Sequence, residues 1–247
     1  MLLNEIKEMR VVYQPKINLK TKKIESVEVL ARFFDKDGMV LNTDKVIGLV
    51  KNIKDMRSLT NVVIEKTVKD MENIKFYNKI NFSINISSIE IEDNDFKTWI
   101  NNIILKYDKK YLSKLEFEIT EKYEIRNEEK MKERIEYLRR CGFKVAFDDI
   151  GAGYNTFEVI DNYNIDFIKI DRSLVKNINK YNKLIINNIK KAHLLGKKVI
   201  AEGIENENTY YMLRLANCDL GQGFYFYKPM DFKSLNSIIW FELYILI

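Results

Sequence analysis

The chain is poor in the residues that mark several common chemistries. Only two of its 247 residues are cysteine, and only one, His193, is histidine. Cys141 and Cys218 form no CxxC pair, which excludes a zinc ribbon or a disulfide framework and fits a reducing, cytoplasmic setting. Two prolines and nine glycines leave no Gly/Ser/Pro linker, so residues 1–247 read as one domain. No apolar signal core opens the sequence. The apolar run at 238–247 is interrupted by Glu242 and is too short to span a bilayer, so no membrane insertion is expected and the run reads as a last helix or strand. An excess of one charge is missing too. Forty-one basic residues against 36 acidic ones give +5, and the lysines are scattered rather than striped. That excludes a binder of DNA or RNA polymers, although a basic surface still favours the approach of an anionic substrate.

What is present is a globular pattern, with 46% hydrophobic and 31% charged residues. Short apolar runs rich in β-branched and aromatic residues alternate with longer segments of helical spacing. The predicted strands are 10–17, 26–33, 81–86, 114–119, 143–147, 167–170, 198–201 and 223–226. The predicted helices are 44–53 with Thr43 as N-cap, 59–72, 96–107, 128–141, 183–195 and 207–217. Gly142 and Gly196 stand where helix-ending glycines belong. Alternating strands and helices argue for parallel βαβ units, and about eight strands in a chain of this length argue for a closed barrel. The first two strands are close enough in sequence for one of them to be antiparallel.

Polar residues interrupt these strands in a regular way. In 115–119 the alternation sets Leu115, Phe117 and Ile119 on one face and Glu116 and Glu118 on the other. In a barrel the apolar face packs on the helices and the glutamates point inward. The same parity groups Glu28 with Arg32, Asn85 with Ser83 and Ser87, and Lys169 with Asp171. Asp148 and Asp149 end the run 145–147, Glu202 ends 199–201, and Gln222 lies just before the last predicted strand. Barrel enzymes place their reactive groups at this C-terminal end of the strands.

Five carboxylates converging on one cleft repel one another and call for counter-charge. An all-oxygen set favours Mg²⁺ or Mn²⁺ over zinc. Two such ions about 4 Å apart can clamp the attacking and leaving oxygens of a phosphodiester, and adjacent Asp148 and Asp149 are suited to bridge them. Lys169 is suited to orient water or to offset phosphate charge; the competing reading pairs it structurally with Asp171.

These residues resemble the EAL domain, the cyclic di-GMP-specific phosphodiesterase domain of bacterial signalling proteins. The resemblance runs from about Val11 to Met230. It rests on Tyr13-Gln14-Pro15, Glu28-Val29-Leu30-Ala31-Arg32, Ser83-Ile84-Asn85-Ile86-Ser87, Glu118-Ile119-Thr120-Glu121, Asp148-Asp149-Ile150-Gly151-Ala152-Gly153-Tyr154, Lys169-Ile170-Asp171-Arg172-Ser173, Ala201-Glu202-Gly203-Ile204-Glu205 and Gln222-Gly223, in that order. It implies a modified TIM-type (β/α)8 barrel with one antiparallel strand, and hydrolysis of cyclic di-GMP to linear pGpG with two Mg²⁺ or Mn²⁺ ions per active site. Glu28, Asn85, Glu118, Asp148, Asp149 and Glu202 match the family's metal positions, and Lys169 matches the lysine beside the catalytic water. Glu121 matches the glutamate that steadies the loop after Asp149, and Glu205 a further active-site position. Gln14, Leu30 and Arg32 match substrate contacts, with Asp171 and Gln222 placed beside them. Relatives commonly form homodimers and carry sensory or cyclase domains upstream. The first strand begins close to Met1, which fits either a stand-alone enzyme or an excised domain.

The chain departs from the family pattern at Val29, at Ser88, and at Ile150, Ala152 and Asn155 in the loop after the paired aspartates, where turnover and dimerisation are the properties put at stake. An alternative reading is an EAL domain without turnover, acting as a cyclic di-GMP receptor or interaction module; such members usually lack several metal ligands. A barrel glycosidase would need only two acids and exposed aromatic sugar platforms. One histidine excludes histidine-ligated phosphodiesterases of the HD type.

Overall fold

The computed structural model describes residues 6–50, 52–74, 77–120, 125–151 and 159–244. Nine strands form one sheet: β1 (Glu8–Asn18), β2 (Ile24–Phe34), β3 (Val40–Leu41), β4 (Asn81–Ser87), β5 (Leu115–Thr120), β6 (Lys144–Ile150), β7 (Phe167–Ile170), β8 (Lys198–Ala201) and β9 (Leu220–Gly221). Their order is β1-β9-β8-β7-β6-β5-β4-β2-β3, and β1 also pairs with β2. Eight strands therefore close into a barrel, and β3 is an appendage on β2. From β2 through β4 to β9 the barrel neighbours are parallel. β1 is antiparallel to both of its neighbours. This is the α/β barrel with one antiparallel strand expected from the sequence.

The local chemistry explains the odd strand. Residues 19–23 are too short a connection for a parallel crossover, so β1 and β2 must form a hairpin. Asn18 organises the turn, its Oδ1 accepting the backbone N–H groups of Lys20 (2.9 Å) and Thr21 (2.8 Å). Elsewhere a helix follows most strands. Gly142 and Gly196 follow the helices Glu128–Arg140 and Ile178–Leu194 with φ of 94° and 70°, the left-handed conformation that a glycine adopts without steric cost.

The main core lies between the barrel wall and the helices. Outward residues such as Phe117, Ile119, Ile168, Ile170 and Val199 are fully buried there, against Ile64, Ile135 and Ile189 of the helices. A second, smaller apolar cluster of Ala146, Phe167, Ile200 and Leu220 comes from the inward faces of β6 to β9. The alternation in each strand thus feeds two cores, and the polar residues emerge above the inner one.

Two expectations need correction. The predicted helix 44–53 ends early, at Gly48, and the predicted helix 59–72 begins earlier, at Ile53. Thr43–Gly48 is capped by Asn42, whose side chain accepts from Lys45 N–H, and Ile53–Glu72 is capped by Asn52, which accepts from Asp55 N–H. Thr43 is therefore the first helical residue rather than the cap, and its hydroxyl donates to Ala31 O. The last strand is Leu220–Gly221 and not 223–226. Phe224, Tyr225 and Phe226 form a turn, with the Phe226 and Tyr227 N–H groups donating to Gly223 O. Gln222 consequently follows its strand, like the other polar residues. Of the apolar run at 238–247, residues 238–244 belong to the helix Phe232–Tyr244, and 245–247 lie outside the described residues. Among the described residues no helix is long and apolar enough to cross a membrane.

Candidate active site and metal centre

The inward-facing polar residues meet at the C-terminal end of the parallel strands. Glu28 of β2 lies opposite Gln14 of β1, and Asn85 of β4 opposite Glu118 of β5. Asn85 Nδ2 donates to Glu28 Oε1 (2.9 Å), and Gln222 Nε2 donates to Glu28 Oε2 (2.7 Å) and to Gln14 Oε1 (3.0 Å). Two amides thereby fix the orientation of the Glu28 carboxylate.

Lys169 of β7 sits fully buried at the centre. Its Nζ lies 2.7 Å from Glu118 Oε2, 2.9 Å from Asp148 Oδ1, 2.7 Å from Glu202 Oε1 and 3.8 Å from Glu28 Oε2. The structural pairing of Lys169 with Asp171 does not occur. Asp171 instead caps the short helix Arg172–Lys176, accepting from Ser173 N–H (2.8 Å).

Parity alone would turn Asp149 away from Asp148. The β6–β7 register shifts between Phe147 and Ile150, and Asp149 adopts φ of 53°. This left-handed residue costs about 1 kcal/mol and swings the second carboxylate back to the rim. Two groups of carboxylates result, each with ligand atoms within 4.8 Å of one another: Glu28, Glu118 and Asp148, and Asp148, Asp149 and Glu202. Asp148 belongs to both.

The electrostatics show how short this cluster is of positive charge. Burial raises Asp148 well above the usual carboxylate range; Lys169 opposes this, while Glu202, Glu118 and Glu28 reinforce it. Burial raises Asp149 as well, and with help from Glu28 and Glu118 it carries Glu202 up to about 7 against the pull of Lys169. Burial alone would raise Glu118 too, but Lys16 and Lys169 bring it down to about 2. For Lys169, burial is outweighed by four carboxylates, and its ammonium is held well above the usual lysine range. Asn85 Oδ1 is buried and accepts no hydrogen bond. Crowded oxygens with raised proton affinity, plus one orphaned carbonyl oxygen, fit divalent cations that prefer oxygen ligands.

A cavity of about 340 Å³ opens beside the cluster, lined by Glu28, Asn85, Asp148 and Asp149 together with Leu30 and Arg32. Ile47, Met56, Leu59 and Val63 give it an apolar wall. Arg32 is half-buried and donates to Ala31 O at 2.8 Å. Gln14 donates to Tyr227 O at 3.2 Å. Glu205 stands apart from the carboxylate cluster, half-exposed and paired with Lys176 at 2.8 Å. Glu121, Ala152 and Asn155 lie outside the described residues. Sequence reasoning missed Lys16, which is fully buried and paired with Glu118. The signal was available, since Lys16 lies two residues beyond Gln14 on the same inward face.

Comparison with known proteins points in one direction. The model of the EAL domain family matches residues 1–229. The chain is 31% identical over 223 residues to the cyclic di-GMP phosphodiesterase PdeA of Borreliella burgdorferi, covering 88% of this chain and 33% of that protein. It is 30% identical over 230 residues to the cyclic di-GMP phosphodiesterase PA2567 of Pseudomonas aeruginosa, covering 92% of this chain and 39% of the relative. The solved structure of the EAL enzyme Bd1971 in its cAMP- and cyclic-di-GMP-bound form superposes with a TM-score of 0.86 at 27% identity, over 96% of this chain and 66% of that one. The chain thus spans less than half the length of these two curated relatives.

Proposed function

Because this chain belongs to the EAL domain family, we propose that it is a metal-dependent phosphodiesterase that hydrolyses cyclic di-GMP to linear pGpG. The observation that carries this reading is the pair of carboxylate groups sharing Asp148, beside a cavity that also holds Arg32. Glu28, Asn85, Glu118, Asp148, Asp149 and Glu202 would hold two Mg²⁺ or Mn²⁺ ions. Bound there, the ions would supply Lewis acidity toward the phosphodiester and a water of lowered pKa.

The chain's own residues have separate tasks in this reading. Arg32 at the cavity wall offers a guanidinium to a substrate phosphate, the geometry for which arginine is suited. Leu30 and the apolar wall exclude water from the bound nucleotide. Gln14 and Gln222 hold Glu28 in one orientation. Lys169 places an ammonium among the reacting oxygens, where it steadies negative charge that builds on the phosphoryl group. Asp171 supports the strand end that carries Lys169, and Glu205, which follows Glu202 by three residues, would act near the same strand end. A homodimer, and an upstream sensory or cyclase domain in the intact protein, are compatible with this assignment.

Incubation of the purified chain with cyclic di-GMP and Mg²⁺ or Mn²⁺, followed by chromatography of the nucleotides, tests it. The expected product is pGpG, and its formation should stop with a chelator. Tight binding without turnover in either cation would overturn the enzyme reading in favour of a receptor.

A further inference from the structure

Lys16 has no task in the mechanism above, yet it is one of the largest fully buried side chains in the protein. It lies opposite Ser26 on the inward face of β1. Because β1 runs against its neighbours, its later residues sit deeper in the barrel. Lys16 therefore approaches Glu118 from the layer beneath the rim. Its Nζ pairs with Glu118 Oε1 and donates to Ser83 Oγ at 2.5 Å, and Ser83 in turn donates to Val27 O at 3.2 Å. Glu118 Oε2 is bound to Lys169 at 2.7 Å. The two lysines divide the carboxylate between them, one oxygen each.

Their surroundings differ in a decisive way. Lys169 also touches Asp148 and Glu202, so a cation entering either carboxylate group competes with it for the same oxygens. Among the described residues the only ion pair of Lys16 is with Glu118, its hydroxyl partner is neutral, and the second carboxylate whose charge it offsets, buried Glu116, belongs to neither carboxylate group. It lies below the cluster with no exposed surface.

We infer that Lys16 is a positioning residue that permanently occupies Oε1 of Glu118, so that Glu118 offers a cation only Oε2. This rests on the metal-binding reading of the carboxylate groups. Confinement to one oxygen matters because Mg²⁺ takes single oxygens in a strict octahedral shell, whereas Ca²⁺ readily takes both oxygens of a carboxylate in a larger, looser one. Lys16 thus acts through Glu118 as a determinant of cation choice.

Titration calorimetry of Mg²⁺ and of Ca²⁺ into the whole chain, native and Lys16→Met, tests the inference. The two cations carry equal charge, so loss of the ammonium strengthens both electrostatically, and the ratio of their dissociation constants isolates coordination. The ratio should move toward Ca²⁺ by about tenfold in Lys16→Met, and by about threefold in Ser83→Ala, which removes only the second anchor of the same ammonium. A ratio within twofold of native in Lys16→Met overturns the inference. If that variant does not fold, an unchanged ratio in Ser83→Ala overturns it. A native chain that binds neither cation removes the metal reading and this inference together. Native binding with an unchanged ratio in the variants removes this inference alone.

Discussion

Raising the pH from 5 to 8 without divalent cations should destabilise the protein, and Mg²⁺ should abolish most of that loss. The reasoning starts from Glu202, whose carboxyl is shifted from 4.5 to about 7 by burial among other acids. A group with a raised pKa in the folded state contributes stability below its unfolded pKa and loses it as the pH climbs through the folded value. For this shift the loss between pH 5 and pH 8 is about 2.5 kcal/mol. Asp148 and Asp149 are raised by the same cause and add in the same sense. Glu118 is lowered to about 2, so its stabilisation is lost only under strongly acidic conditions, outside this window. For a chain of this size the Glu202 effect alone corresponds to a fall in Tm of about 5–10 °C. A cation favours the ionised carboxylates and should flatten the profile. The assay is thermal unfolding by circular dichroism across this pH range, with chelator and with millimolar Mg²⁺. A Tm that is flat or rises toward pH 8 in chelator would refute the electrostatic account of the cluster.

Two substitutions probe the architecture around the site. Glu28→Ala should cut turnover by about 10³-fold, as expected when several kcal/mol of charge stabilisation disappear. Steady-state kinetics should register that loss while the far-UV circular dichroism spectrum stays native, since one repelling carboxylate has gone from the cation-free cluster; retained activity would show the metal assignment to be wrong. Gly223→Ala should lower stability by about 2–3 kcal/mol in urea unfolding, because an added Cβ lands 2.1 Å from Ile204 O and 2.4 Å from Ile204 N, both backbone atoms that cannot swing aside. An unchanged midpoint would mean that the loop carrying Gln222 is not held against Ile204.

The parts of this molecule that follow from alternation were legible before any coordinates. Phe117 outward and Glu118 inward is a statement about period two, and it holds in the barrel. The positions of Glu28, Asn85 and Lys169 follow in the same way. What escaped was set by geometry that no pattern encodes. Asp149 should face away from Asp148 by parity, and only the register shift and its left-handed backbone bring both to the rim. β9 has two residues, too few for any periodicity, while the aromatic residues after Gly223 look like a strand and fold into a turn. The burial of Lys16 is not legible in the sequence, since a lysine in a strand is usually a surface residue and its partner Glu118 lies more than a hundred positions away. The starts of the first two helices are set by asparagine caps, Asn42 and Asn52, rather than by the Thr43 expected from the sequence.

The barrel is sewn shut along an unequal seam. Ten residue pairs join β1 to β2, but only Ile17 with Gly221 and Asn18 with Leu220 join β1 to β9. Across that thin seam Gln222 completes the hydrogen bonding of Glu28, a partner 194 positions earlier in the chain. A nascent polypeptide that has left the ribosome as far as Glu202 carries every acidic residue of the cluster, yet it lacks β9 and Gln222, so its sheet is incompletely paired. Closure of the site depends on β9 and on Gln222, which follows it. The same seam is where hydrogen exchange should first report opening of the finished protein, so birth and breathing of the site share one place in the fold.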